Sequence, residues 1–335
     1  MRRFAISATL AIAGILAAPG SALAGYTDFV VFGDSLSDTG NFFNLTGLPG
    51  SPYANGRFTN GQNFVDVLAA NLSLSSLASS SGGLNYAVGG ARTSSNSFFD
   101  TDPATGAALS LHGQVSSYLG SHASDAKSTT LYSVFIGAND VVQAMGQAAP
   151  YLLAGDFATA NSVASGIISA AVASETAEIK SLIGAGAQTI LIPNLPDLGL
   201  TPRANALGLG GFAQQLSLSF NQGLHNSLQS FNGSGVSLVE FDVYGLFNQV
   251  VTNPATFGFT EVAAPCLSTA GVCANPGKTF FWDDLHPTAA AHRILGDQMT
   301  AAVQAVPEPE TWAMLLGGLG LLAFSRRRSA QGASL

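Results

Sequence analysis

The chain has 335 residues, enough for one large or two ordinary domains, and 47% hydrophobic residues supply ample material for a core. Only 10% of residues are charged, against about 25% in average proteins. With 12 basic and 20 acidic residues the formal net charge is −8, which argues against nucleic acid and anionic membrane surfaces as electrostatic partners.

Residues 1–24 have the order of a secretory signal peptide: Arg2 and Arg3, an apolar run over residues 4–18, then Ala22-Leu23-Ala24 as a small-residue cleavage site. The mature chain is therefore expected to begin at Gly25. The first strand is expected at Phe29-Val30-Val31-Phe32, a short apolar run that leads straight into Gly33-Asp34-Ser35-Leu36-Ser37. Residues 41–60 read as a long loop rich in Gly, Pro and Asn, and residues 62–72 as a helix. A second strand is expected at 84–88, ending on Gly89-Gly90, followed by a second loop at 93–108.

A helix at 114–121 precedes a strand at 131–136, after which come Gly137-Ala138-Asn139-Asp140. Helices at 158–184 and 212–231 then alternate with strands at 189–193 and 236–241, and Pro287 opens a closing helix over 288–303. Continuous apolar strands alternating with helices predict an α/β fold, a three-layer α/β/α sandwich around a doubly wound parallel sheet of about five strands. Ligands bind such sheets at the carboxyl ends of the strands, the edge that would gather Ser35, Gly89 and Asn139. Cys266 and Cys273, the only cysteines, would close a small loop, which in an oxidising compartment reads as a disulfide; no further ligand cluster suggests a metal.

The tail is a separate device. Val306-Pro307-Glu308-Pro309 precedes an apolar stretch at 312–324 and then Arg326-Arg327-Arg328. This resembles the PEP-CTERM sorting signal of exported bacterial proteins. The apolar stretch is marginal for a bilayer that needs about 20 residues, so transient membrane association followed by cleavage and a retained anchor are both readings of it. Processing at both ends would remove five arginines and two glutamates, leaving 7 basic and 18 acidic residues and a net charge of −11. The partners implied are the export and sorting machinery, and the location is the envelope, outer surface or extracellular matrix of a bacterium.

The chemistry rests on Ser35 and on Asp283-Asp284-Leu285-His286 near the domain end. A serine hydroxyl needs a base to take its proton and an acid to orient that base, and His286 and Asp283 supply both. Ser35 is flanked by Gly33 and Ser37 rather than by the two glycines of the G-x-S-x-G elbow, which disfavours an α/β-hydrolase. With Leu84-Asn85-Tyr86-Ala87-Val88-Gly89-Gly90-Ala91-Arg92 and Phe135-Ile136-Gly137-Ala138-Asn139-Asp140 in order between them, these blocks resemble the GDSL, or SGNH, esterases and lipases. Asn55-Gly56-Arg57-Phe58-Thr59-Asn60-Gly61 is similar to a segment of the lipase-like branch.

That resemblance spans roughly residues 27–305 and implies an SGNH-hydrolase, flavodoxin-like fold over residues 25–305, with no metal or organic cofactor. It implies Ser35 as nucleophile, His286 as general base and then acid, and Asp283 as orienting acid through the D-x-x-H pattern, with Asp284 a solvated neighbour. The oxyanion hole would comprise the Ser35 N–H, the Gly89 N–H, with Gly90 left open, and the Asn139 amide. Asp38, Asn41 and Asp140 are expected to support these loops, and Phe42, Phe43, Tyr53, Phe58, Phe98 and Phe99 to be acyl-pocket candidates. His112, His122, His225 and His292 lack a comparable context and read as surface or packed residues. The expected function is hydrolysis of short-to-medium acyl or lipid esters through an acyl-enzyme. Polysaccharide O-deacetylation, acyl transfer and a non-catalytic glycan- or lipid-binding module are the alternatives.

Overall fold

The computed structural model describes residues 25–98, 101, 108–122 and 129–306. The proposed signal peptide, Phe99 and the tail from Pro307 onward lie outside the described residues. Strands β1 (Asp28–Gly33), β2 (Thr130–Phe135), β3 (Thr189–Pro193) and β4 (Ser237–Phe241) form a parallel sheet in the order β1-β2-β3-β4. β1 and β2 pair over six residues, from Asp28 beside Thr130 to Gly33 beside Phe135. β2 and β3 are buried throughout, which is why each reads as a predominantly apolar run; β4, at the edge, is half-exposed.

The fifth expected strand, at 84–88, is a correction. It lies along the free edge of β1, with Val31 N–H donating to Leu84 O (3.1 Å), Tyr86 N–H to Val31 O (2.7 Å) and Val88 N–H to Gly33 O (3.1 Å). Only an isolated bridge at Val31 and Asn85 results. The cause is Asn85, whose side chain accepts from Ala87 N–H and donates to Ser37 O and Thr39 Oγ1, competing with a regular ladder. Counted with this segment, the sheet has the spatial order 2-1-3-4-5 of flavodoxin-like folds, and its switch point lies between β1 and β2.

The helices are α1 (Asn41–Thr46), α2 (Phe64–Leu72), α3 (Leu111–His122), α4 (Ala138–Leu153), α5 (Phe157–Gly184), α6 (Pro202–Ala206), α7 (Gly210–Leu228), α8 (Val243–Thr252) and α9 (Ala289–Gln304). α2 packs on α9, while α5 packs on α3, α4 and α7. Together they cover a core that includes Phe32, Phe64, Leu131, Phe135, Ile190 and Phe220. α4 is not among the expected helices; Pro150 falls in its last turn, where the helix persists.

Between α8 and α9 the chain forms β5 (Glu261–Pro265), β6 (Leu267–Ser268), β7 (Gly271–Val272) and β8 (Thr279–Phe281). β5 pairs with β8, and β6 with β7. Cys266 and Cys273 are disulfide-bonded across the β6–β7 hairpin.

Candidate active site

β1 delivers Ser35 by way of a tight turn. Gly33 is required there, because a Cβ would stand 2.5 Å from Phe135 O on the neighbouring strand. Asp34 closes the turn by accepting Leu36 N–H at 3.0 Å, while its carbonyl accepts Ser37 and Asp38 N–H. On the far side, β8 leads into Trp282-Asp283-Asp284-Leu285-His286, whose bend is held by Trp282 N–H donating to His286 O at 2.7 Å.

Ser35 Oγ lies 2.8 Å from His286 Nε2. His286 Nδ1 lies 2.8 Å from Asp283 Oδ2 and 3.0 Å from Oδ1. A hydrogen on Nδ1 held by the carboxylate leaves the Nε2 lone pair facing the serine, which is the tautomer a general base needs. Asp283 also accepts the backbone N–H of Leu285 (2.8 Å) and His286 (2.7 Å). Burial alone would raise its pKa; the His286 imidazole and these donors override that and hold the carboxyl well below the usual range.

Tyr53 adds a further donor, its hydroxyl reaching Asp283 Oδ2 at 2.8 Å from a residue 230 positions away. Burial and the adjacent carboxylate keep that phenol protonated. Its ring meets Trp282 edge-on at 6.0 Å. The same loop is pinned to the base of α9 by Thr59 Oγ1 donating to Pro287 O and by Ala289 N–H donating to Asn60 Oδ1. Asp284 instead pairs with Arg203 through two side-chain bonds of 2.8 and 2.9 Å, on the surface.

The donors facing the serine divide unevenly. Asn139, at the start of α4, has its amide nitrogen 3.0 Å from Ala91 O and 3.5 Å from Asp34 Oδ2. The Gly89 N–H, an expected oxyanion donor, already donates to Asp38 Oδ2 at 2.8 Å. The Ser35 and Gly90 N–H groups have no acceptor among the described residues. Gly90 has φ +77°, a left-handed conformation that glycine adopts freely.

Asp38 and Asp140 are buried supports. Asp38 accepts Gly40, Asn41, Phe42 and Gly89 N–H, and burial pushes its pKa up to about 6. Asp140 accepts from Thr93 N–H and Oγ1 and is likewise pushed up to about 6 by burial. Asn41 Nδ2 holds the carbonyls of Asn85 and Ala87, fixing the glycine turn from below. His292 is packed, accepts Phe64 N–H through Nδ1, and is driven down to about 3 by burial. His112 and His225 pair with Glu178 and Glu240, and His122 stacks on Tyr118, all away from Ser35.

A cavity at the switch point is lined by Ser35, Asn139 and His286 together with Leu198, Phe247, Phe281 and Leu285. None of the five described aromatic pocket candidates is part of this lining. Phe42 packs against Phe58 and Phe98 in a small cluster of its own, and Phe58 contacts the His286 ring at 5.3 Å. The apolar wall comes instead from elements after β3 and β4, which carry no local motif that could have announced them.

A family model described as GDSL-like lipase/acylhydrolase matches residues 29–299. A PEP-CTERM protein-sorting motif matches residues 305–329. A GDSL esterase/lipase of Arabidopsis thaliana is 29% identical over 321 residues, covering 80% of this chain and 87% of the relative. Lipase 1 of Photorhabdus luminescens is 27% identical, covering 84% of this chain and 50% of its own length. Among solved structures, an acetylxylan esterase from Geobacillus stearothermophilus aligns over 84% of this chain and 96% of its own, with 14% identity and a TM-score of 0.41.

Proposed function

Because the chain belongs to the GDSL-like lipase/acylhydrolase family, and is thus an esterase, we propose that Ser35, His286 and Asp283 are its catalytic triad. The sorting motif makes it an exported bacterial protein that engages a sorting system, in the envelope or secreted. The observation that carries the triad is the continuous relay from Ser35 Oγ through His286 to Asp283, with both links at 2.8 Å.

In the proposed cycle His286 Nε2 takes the Ser35 proton as Oγ attacks the ester carbonyl carbon, and Asp283 stabilises the resulting imidazolium. The oxyanion receives hydrogen bonds from the Ser35 N–H, the Asn139 amide and a glycine N–H, for which Gly90 is favoured over Gly89 because its donor is uncommitted. Collapse breaks the carbon–oxygen bond, and His286 returns its proton to the leaving alcohol. A water, deprotonated by the same nitrogen, then cleaves the acyl-enzyme, releasing the acid and restoring Ser35.

The substrate partner is a small-molecule or lipid ester. The mature hydrolase is proposed to occupy residues 25–305, between a signal peptide at 1–24 and a sorting tail at 306–335 that associates with the membrane before processing; intact mass of the exported protein checks both ends. For the chemistry, a fluorophosphonate probe should label wild type at Ser35 and leave Ser35→Ala unlabelled, with ester turnover lost in parallel. Turnover surviving in Ser35→Ala would sink the assignment.

A further inference from the structure

The helix that presents Asn139 at its first turn continues as one wall of a second, larger apolar space. Val142, Met145, Gly146, Ala149, Leu152 and Leu153 of α4 line a groove of about 590 Å³. Their spacing of three and four residues places them on one helical face. The opposite wall is α6 and the chain after it, including Leu207 and Leu209. Leu198, Thr201 and Leu285 belong both to this groove and to the cavity at Ser35, so the two spaces meet at that threshold. At the outer end Leu153 is 91% exposed and Leu207 63% exposed, large apolar side chains left in water where the groove opens.

We propose that this groove holds the acyl chain of the substrate, making the enzyme selective for medium-to-long-chain, lipid-type esters. The inference rests on Ser35 as the nucleophile. An ester whose carbonyl sits at Ser35 has its acyl chain pointing across the Leu198–Leu285 threshold into an apolar channel, and the chain shields Leu153 and Leu207. From Val142 to Leu153 the α4 wall is about 16 Å long. One leaflet of a bilayer's hydrocarbon core, the reach of a membrane-lipid acyl chain, is about 15 Å. Arg203, the one charged residue of the lining, has its guanidinium tied to Asp284, so no unpaired charge faces the hydrocarbon.

Gly146 provides the test. A Cβ added there meets nothing within 4 Å, so a side chain can leave the backbone at this position without a clash, and the groove of about 590 Å³ that Gly146 lines has the volume to take the ring of Gly146→Trp. The measurement is kcat/KM for 4-nitrophenyl esters from acetyl to hexadecanoyl, each below its micellar concentration, with wild type, Gly146→Trp and Ser35→Ala. In wild type the value is expected to rise about two- to fourfold per methylene from butanoyl to dodecanoyl. In Gly146→Trp the dodecanoyl-to-acetyl ratio is expected to fall by at least about 60-fold, six methylenes at twofold each. A ratio is read because partial misfolding lowers both rates alike. A flat wild-type profile with Ser35-dependent acetyl turnover overturns the groove and leaves the esterase standing, whereas no Ser35-dependent turnover of any ester overturns both. An unchanged ratio in Gly146→Trp, accompanied by lost binding to phosphatidylcholine vesicles, makes the groove a lipid-surface contact and overturns the acyl assignment.

Discussion

Glu175 sits on α5 with no exposed surface, and neither carboxylate oxygen has a hydrogen-bond partner among the described residues. Burial, reinforced by nearby Asp140 and Asp34, raises its pKa well above the ordinary 4.5. The folded protein therefore keeps this proton at pH values where the unfolded chain releases it. Stability from this source is fully present below pH 4.5 and is lost as pH rises toward the folded value, at about 1.4 kcal/mol per pH unit. Glu175→Gln preserves the shape and removes the titration. The unfolding free energy of the variant minus that of wild type should therefore become more positive from about pH 5 to about pH 7, by at most about 3 kcal/mol, the ceiling for one proton over two pH units. Urea unfolding at the two pH values reads the difference. Asp38, pushed up to about 6 by burial, and His292, held down to about 3, bend both curves alike and cancel, whereas Asp34 and Asp140 interact with Glu175 and ionise in the same window, so the difference reads Glu175 together with these two neighbours. A difference independent of pH would mean that Glu175 is ionised and paired in the fold, and would refute the reasoning.

Replacing each of the two adjacent acids separates their roles: Asp283→Ala should reduce kcat by about 10⁴-fold, the scale of losing the orienting acid of a triad. Asp284→Ala should remove only a surface pair with Arg203, worth at most about 1 kcal/mol of stability, and steady-state kinetics showing the reverse ranking would exchange the two assignments. Tyr53→Phe keeps the ring against Trp282 but removes a hydrogen bond to a charged acceptor, for which about 1.5 kcal/mol, or roughly tenfold in kcat/KM, is the low end. The low end applies because three donors remain on Asp283; activity within twofold of wild type would show that they suffice.

The fold was legible because strands buried on both faces are predominantly apolar, as Leu131, Tyr132, Val134 and Phe135 are around the single buried Ser133, and such runs stand out without knowledge of their neighbours. The 84–88 segment has the same composition, yet its regularity is broken by the side chain of Asn85 reaching Ser37 and Thr39, a decision made by residues more than forty positions away. The proposed triad was legible as motifs, because each member lies beside a strand end with a short local signature. Tyr53 was not: its link to Asp283 exists only once the loop before α2 folds over β8, and no spacing rule spans that distance. The apolar walls at Leu198 and Phe247 escaped for the same reason.

The proposed preference for Gly90 over Gly89 would have a supporting residue set chemistry it never touches. Asp38 Oδ1 accepts Gly40 and Asn41 N–H, and Oδ2 accepts Phe42 and Gly89 N–H, so one buried carboxylate ties the turn after Ser35 to the glycine turn. With Gly89 anchored in this way, Gly90 is the next donor in line, and its position depends on an acceptor at Asp38 Oδ2. Asp38→Asn keeps the volume but converts one oxygen into a donor, which opposes either the Gly40 and Asn41 pair or the Phe42 and Gly89 pair. Oxyanion donors act on charge that develops only in the transition state, where losing one lowers kcat about 10²–10³-fold. Displacing Gly90 rather than deleting it should give the lower figure, about 10²-fold in kcat with KM nearly unchanged. A raised KM with kcat retained would show instead that Asp38 shapes substrate binding, and the oxyanion role would return to Gly89 or leave this turn altogether.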